Sequence, residues 1–245
     1  MIKADQLVAH RGYQAKYPEN TLLALNQAIL HGALMVELDV QFSADRLPII
    51  YHDTKLQRVS GCPGSVFNKQ RHELLELPAY EPQRLGDQFI TEKISPLETL
   101  VSLLQSNPQV TAFVELKEES IAHCGRQLIS NSVRDILRPV ARQAVIMSFD
   151  YELAIAARQA GWPLVGVVLK QWQDLEHPQV IQAQPDYIYS NHQIIPDRHD
   201  LQSNSALAST KLVAYEVGTN DLAEQLLQRG VDILETFEIE SLLAY

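Results

Sequence analysis

Glu37 and Asp39 stand two residues apart in Val36-Glu37-Leu38-Asp39-Val40, inside an otherwise apolar run. On a β-strand, residues two apart share a face, so both carboxylates point one way and the apolar residues the other. On a helix the two acids would diverge by about 200°. The pattern returns at Val114-Glu115-Leu116-Lys117, which adds a third acid and a cation on the charged face. Carboxylates turned into a protein interior are costly without a partner, and a divalent cation removes that cost. Three oxygen ligands with room for water suit a hard ion, Mg²⁺ or Ca²⁺, better than zinc. Either strand alone would equally suit a sheet edge with a solvated polar face. The two together favour a shared interior site.

Two histidines close apolar runs: His10 in His10-Arg11-Gly12, and His52 in Ile49-Ile50-Tyr51-His52-Asp53. A histidine pair can act as general base and general acid near neutral pH. Arg11 offers a planar fork for phosphate oxygens, and Asp53 is placed to orient His52. The remaining histidines, among them His199, have no paired acid pattern and are assigned structural or surface roles. Glu19 is expected to interact with the dipole of the first helix, and Asp150 and Asp221 to cap later ones. No G-x-S-x-G nucleophile elbow is present.

Such residues need strands to carry them. Strand-like runs fall at 7–10, 35–42, 48–51, 112–116, 144–148, 164–169, 187–190, 212–215 and 233–236. Helical patterns lie between them, at 21–31, 96–105, 121–137, 151–160, 174–184 and 221–229, with a weaker pattern at 199–209. Asn20 is placed to cap the first helix and Gly32 to end it. Repeated β-then-α units imply a parallel sheet. About eight units in one chain of 245 residues predict a single α/β domain over 1–245, a TIM (β/α)₈ barrel. The stretch 54–95 breaks the rhythm and is expected to be an insertion after the second strand, on the catalytic face. In that barrel His10 and His52 would sit at the C-terminal ends of strands, where catalytic groups gather.

Composition narrows the partners. A formal charge of −10 disfavours nucleic acid, whose binding needs a basic field, while leaving room for a small phosphate ligand. Cys62 and Cys124 form no metal-binding spacing and are expected to remain free thiols. No apolar run reaches signal-peptide or membrane-spanning length, which predicts a soluble cytoplasmic protein; an oligomer is compatible with all of this.

The ordered run His10-Arg11-Gly12, Pro18-Glu19-Asn20-Thr21, Glu37-Leu38-Asp39, His52-Asp53 and Glu115-Leu116-Lys117 resembles the glycerophosphodiester phosphodiesterase family. The resemblance implies a TIM barrel with a short insertion after the second strand. It implies His10 and His52 as the acid–base pair, Glu37, Asp39 and Glu115 as metal ligands, and Arg11 and Lys117 as phosphate contacts. The implied reaction releases an alcohol and sn-glycerol 3-phosphate from a glycerophosphodiester, through attack of the glycerol 2-hydroxyl and a cyclic phosphate. Two positions depart from the family pattern: Tyr215 stands where a Trp is common, and Phe237 follows Thr236 where Asp is frequent. Both bear on the substrate end, and Tyr215 still offers an aromatic face and a hydroxyl there. Two other activities fit the same barrel. One is a lysophospholipase D-type reaction, which would want an apolar rim from the insertion; the other is a catalytically silent binding protein.

Overall fold

The computed structural model describes residues 2–197, 201 and 204–243. Its strands, in chain order, are β1 (Leu7–Ala9), β2 (Met35–Phe42), β3 (Pro48–Ile50), β4 (Ser95–Pro96) and β5 (Thr111–Leu116), then β6 (Ala144–Ser148), β7 (Val165–Val168), β8 (Tyr187–Asn191), β9 (Lys211–Tyr215) and β10 (Ile233–Thr236). Strands β1, β2 and β5 to β10 run parallel, and β1 pairs with both β2 and β10, which closes the expected barrel.

Alternation along the strands separates two apolar sets. Val36, Leu38, Val40, Val114 and Leu116 face outward into the core beneath the helices. Val8, Met35, Phe113, Val145, Met147 and Tyr189 fill the barrel interior. Glu37 and Asp39 follow Met35 in steps of two, and Glu115 follows Phe113, so all three acids point to the axis above that packing. Each fully buried large apolar side chain contributes roughly 1.5–3 kcal/mol, and this floor fixes the height at which the acids stand.

The run at 48–51 corrects the expectation of a barrel strand. β3 pairs antiparallel with β2, Val40 opposite Ile50 and Phe42 opposite Pro48, and then with β4. The connection 43–47 is too short for a parallel crossover, which takes about a dozen residues or more. The chain therefore makes a hairpin above the barrel and returns to its rim. His52 follows this returning strand rather than a barrel strand, beside Tyr51, whose N–H donates to the Asp39 carbonyl at 2.9 Å.

The insertion folds around its own small core of Ile49, Tyr51, Leu56, Val59, Val66, Leu74, Ala79 and Ile94. Phe67, Leu75 and Leu77 pack against that core, so most of the insertion's apolar residues are taken up by packing, with Ile90 left exposed. It carries short helices at Gln57–Ser60, Arg71–Leu74 and Pro82–Leu85.

Several helix boundaries shift for identifiable reasons. The first helix is Leu22–Leu30, and its cap is Thr21, whose hydroxyl accepts from the Ala24 N–H at 3.1 Å; Asn20 is used elsewhere. The pattern at 121–137 splits at Gly125 into Glu118–Cys124 and Arg126–Leu137. That at 174–184 becomes a 3₁₀ turn, Trp172–Glu176, and a helix, Pro178–Ala183. Asp150 caps its helix as expected, whereas Thr219 takes the place assigned to Asp221. Of the helix expected at 199–209, a 3₁₀ turn at Ser205–Leu207 is present; residues 199, 200, 202 and 203 lie outside the described residues, as does His199. Among the described residues, no helix is long and apolar enough to cross a membrane.

Gly12 sets the loop that carries His10 and Arg11. Its φ is +81°, and a Cβ there would lie 2.5 Å from the Ala24 carbonyl carbon and 2.7 Å from the Leu25 nitrogen. Backbone on both sides leaves no flexible atom to give way. Gly12→Ala is expected to cost about 1–3 kcal/mol or more, read as a lower midpoint in urea unfolding. An unchanged midpoint would show that the loop relaxes freely.

Candidate active site

Parallel register places Asp39 of β2 opposite Glu115 of β5. Carboxylate oxygens of Glu37, Asp39 and Glu115 all lie within 4.8 Å of one another. Each acid is held in a different way. Asn20 clasps Asp39, donating from its amide at 2.8 Å and accepting the Asp39 N–H at 2.9 Å. The Asn20 backbone has φ 57°, a left-handed conformation that asparagine tolerates. Arg11 Nε and Lys117 Nζ lie 3.0 Å and 2.7 Å from the Asp39 oxygens. Lys117 also reaches Glu115 at 2.7 Å. Glu37 accepts the Arg11 N–H at 2.9 Å through one oxygen, while its other oxygen, Oε1, is buried without a hydrogen-bond partner.

These surroundings separate the acids. Burial opposes ionisation of Asp39, yet Lys117 and Arg11 outweigh it and hold this carboxyl well below the usual range. Burial, together with Asp39 and Glu235, pushes the Glu37 carboxyl well above it. Burial raises Glu115 too, against the pull of Lys117. A compact set of three oxygen donors, one with an orphaned oxygen and a raised proton affinity, fits a hard divalent cation.

The histidines sit in contrasting environments. Burial, reinforced by Arg11, lowers His10 to about 3. Three carboxylates surround its ring beyond hydrogen-bond distance, Glu37 at 3.9 Å, Glu216 at 3.7 Å and Glu235 at 4.0 Å. His52 is more open, and its Nδ1 lies 2.6 Å from Asp53 Oδ1. An ionised carboxylate only accepts, so Nδ1 carries the proton and Nε2 is left to face outward.

A buried ionic network joins the insertion to both histidine regions. Arg58 donates to both oxygens of Asp53 at 2.8 and 2.7 Å and to both oxygens of Glu19 at 2.7 Å. Glu19 also accepts from Arg11 at 3.1 Å and from Gln14 at 3.0 Å. Burial opposes the charge on Glu19, but Arg58 and Arg11 hold its carboxyl below the usual range. Glu19, expected at a helix dipole, is thus the buried link between Arg11 and Arg58.

His10, Arg11, Glu37, His52, Glu115, Lys117 and Tyr215 line one cavity of about 160 Å³, and Asp39 stands behind Glu115 and Lys117. Sequence reasoning missed Glu216, Glu235 and Tyr189, which line the same cavity. Glu235 was within reach of it: Ile233-Leu234-Glu235-Thr236 repeats the alternation that singled out Glu37. Asn20 and Arg58 lie in irregular segments and give no periodic signal.

The sequence profile of the glycerophosphoryl diester phosphodiesterase family matches residues 10–239. A glycerophosphodiester phosphodiesterase of Caldanaerobacter subterraneus is 24% identical over 244 residues, covering 97% of this chain and 96% of its own. Human glycerophosphodiester phosphodiesterase 1 is 29% identical over 171 residues, 69% of this chain and 50% of the human one. The matches to the human and bovine proteins span half or less of those relatives' length. Among solved structures, an Oleispira antarctica phosphodiesterase in complex with the product sn-glycerol-3-phosphate superposes with a TM-score of 0.82 at 23% identity, covering 98% of this chain and 95% of that one. A glycerophosphodiester phosphodiesterase from Agrobacterium tumefaciens gives 0.77 at 22% identity, covering 98% and 99%.

Two predictions follow from the charge arrangement. Glu37 and Glu235 have folded-state proton affinities above the ordinary value of 4.5, so without metal their contribution to stability is lost as pH rises above that value. Asp39 and Glu19 are shifted downward, so their contribution changes only below that window. Melting temperature without metal should therefore fall between pH 5 and 8. Mg²⁺ or Ca²⁺ at one fixed concentration, ~100 times its Kd at pH 8, should raise it by roughly 5–10 °C at pH 8, and by less at pH 5, where protons compete for the carboxylates. A shift that is absent or independent of pH would refute the metal assignment. Arg58→Gln should lower stability by about 1–3 kcal/mol in denaturant titration, since Glu19 and Asp53 each lose a forked partner. Full retention of stability in Arg58→Gln would show the network to be dispensable.

Proposed function

Because the chain belongs to the glycerophosphoryl diester phosphodiesterase family, we propose that it hydrolyses small glycerophosphodiesters to an alcohol and sn-glycerol 3-phosphate. The observation that carries this reading is the convergence of three carboxylates, two imidazoles, Arg11 and Lys117 on a single small cavity. Glu37, Asp39 and Glu115 would hold Mg²⁺ or Ca²⁺, which supplies charge neutralisation at phosphoryl oxygens and lowers the pKa of a bound hydroxyl. Arg11 and Lys117 bind the phosphate and offset the acidic surroundings.

The proton roles divide by environment. His10 is neutral in the free protein and is the group placed to accept a proton. A base held this low gains affinity when the negative charge of a phosphodiester lies beside it. His52 is the group placed to deliver a proton from Nε2 to the departing alcohol, because Asp53 fixes its ring through Nδ1. The nucleophile is the substrate's own 2-hydroxyl, and water then opens the cyclic phosphate.

A cavity of about 160 Å³ suits a glycerophosphate group; pockets for drug-sized ligands run roughly 300–1,000 Å³. Most of the insertion's apolar residues are spent on its own core, with Ile90 left exposed, which favours the small diester over a lysophospholipid. Cys62 and Cys124 are unbridged, in keeping with a reducing cytoplasm.

The test is release of glycerol 3-phosphate from glycerophosphocholine and glycerophosphoethanolamine, with and without chelator. Activity should vanish with chelator and return with Mg²⁺ or Ca²⁺. His10→Ala and His52→Ala should each reduce kcat by roughly 10²–10⁴-fold. Chelator-resistant turnover, or near-normal rates in either variant, would overturn the mechanism.

A further inference from the structure

Glu235 has no part in the chemistry just described, yet it is buried in the wall of the same cavity. It is 3% exposed, and its Oε1 has no hydrogen-bond partner. Among the described residues the nearest basic side chain is His10, 4.0 Å away and beyond hydrogen-bond distance. The Tyr189 hydroxyl, also lining this cavity and also buried, has no partner either. With Glu37 Oε1 assigned to the cation, Glu235 Oε1 and the Tyr189 hydroxyl leave this cavity one acceptor and one donor–acceptor with nothing to bond. Buried polar groups are seldom left so, because each carries its desolvation cost unrelieved.

The chemistry of these groups limits what can satisfy them. A phosphate would find no cation here, since its cationic partners Arg11 and Lys117 belong to the Asp39 cluster. The departing alcohol varies between substrates and must leave through the open mouth, where Glu216 is half-exposed. The enclosed side therefore receives the part common to every substrate. A hydroxyl is the matching group: it donates to Glu235 and accepts from Tyr189.

Resting on the function proposed above, we infer that Glu235, with Tyr189, is the receptor for the terminal hydroxyl of the glycerol group and restricts the enzyme to fully deacylated diesters. A substrate acylated at that oxygen has no proton to donate and would press an ester against a buried carboxylate. Sites built to bond a hydroxyl discriminate strongly against analogues lacking it, since their own polar groups are then stranded.

The test is calorimetric binding in saturating Mg²⁺ or Ca²⁺, with sn-glycerol 3-phosphate and with propane-1,2-diol 1-phosphate, which lacks only the terminal hydroxyl. The unmodified protein should prefer the glycerol compound by roughly 10- to 100-fold. Glu235→Leu, close in volume and free of the uncompensated acid, should fold with an equal or higher Tm and bind both compounds within about 3-fold of each other. Glu235→Gln, whose amide oxygen still accepts, should lie between. Preference for the glycerol compound retained in Glu235→Leu, or absent from the unmodified protein, would overturn the inference. Because binding is read without turnover, failure of hydrolysis would refute the proposed reaction while this discrimination still reports on Glu235.

Discussion

Uncompensated negative charge at the axis of a closed barrel is the constraint around which this molecule is organised. Glu37, Asp39, Glu115 and Glu235 all point into one enclosed space, and two cations, Arg11 and Lys117, enter it with them. Both cations gather on Asp39, which stays ionised, while burial and the neighbouring carboxylates raise the proton affinity of Glu37 and Glu235. A hydrophobic interior of this size would be more stable with apolar residues there. In the function proposed, a ligand supplies what the fold withholds, a cation at one side and a hydroxyl at the other.

Support for the site is divided between two kinds of structure. The barrel gives height and direction, because strand alternation above a packed floor leaves each acid little freedom. The hairpin and insertion give what the barrel lacks. They return the chain to the rim with His52, fix it through Asp53, and tie Asp53 to Arg11 through Arg58 and Glu19. Barrel and insertion have separate apolar cores, so the ionic network joins them together with the pairing of β3 on β2. Such bonds are directional, and they set orientation in a way that apolar packing alone does not.

Much of this was legible from residue spacing. Period-two alternation identified Glu37, Asp39 and Glu115 as inward-facing, since one face of each strand is unambiguously apolar. The same rule, applied to Ile233-Leu234-Glu235-Thr236, would have found Glu235, but a single charge in a four-residue strand is a weak pattern beside a repeated pair. The hairpin strand was mistaken for a barrel strand because composition does not reveal direction; only the short connection 43–47 does. Arg58, Glu19 and Asn20 were illegible as site residues because their roles are long-range. Asn20 meets Asp39 across 19 positions and Arg58 meets Glu19 across 39, with no periodicity to announce either pairing.

The contrast between the two histidines shows how the charge constraint becomes mechanism. The two rings are set apart by what surrounds them: burial and Arg11 disfavour a charge on His10, whereas at His52 a carboxylate fixes the ring through Nδ1. Three carboxylates stand within about 4 Å of His10, yet burial disfavours the charged ring, and two of those acids, Glu37 and Glu235, have raised proton affinities of their own. A cation binding to Glu37 would draw the proton from that carboxyl and change the field at His10 in the same step. Occupation of the acid cluster and readiness of the base are therefore linked through one shared residue, Glu37, which accepts the Arg11 N–H with one oxygen and presents the other to the cavity.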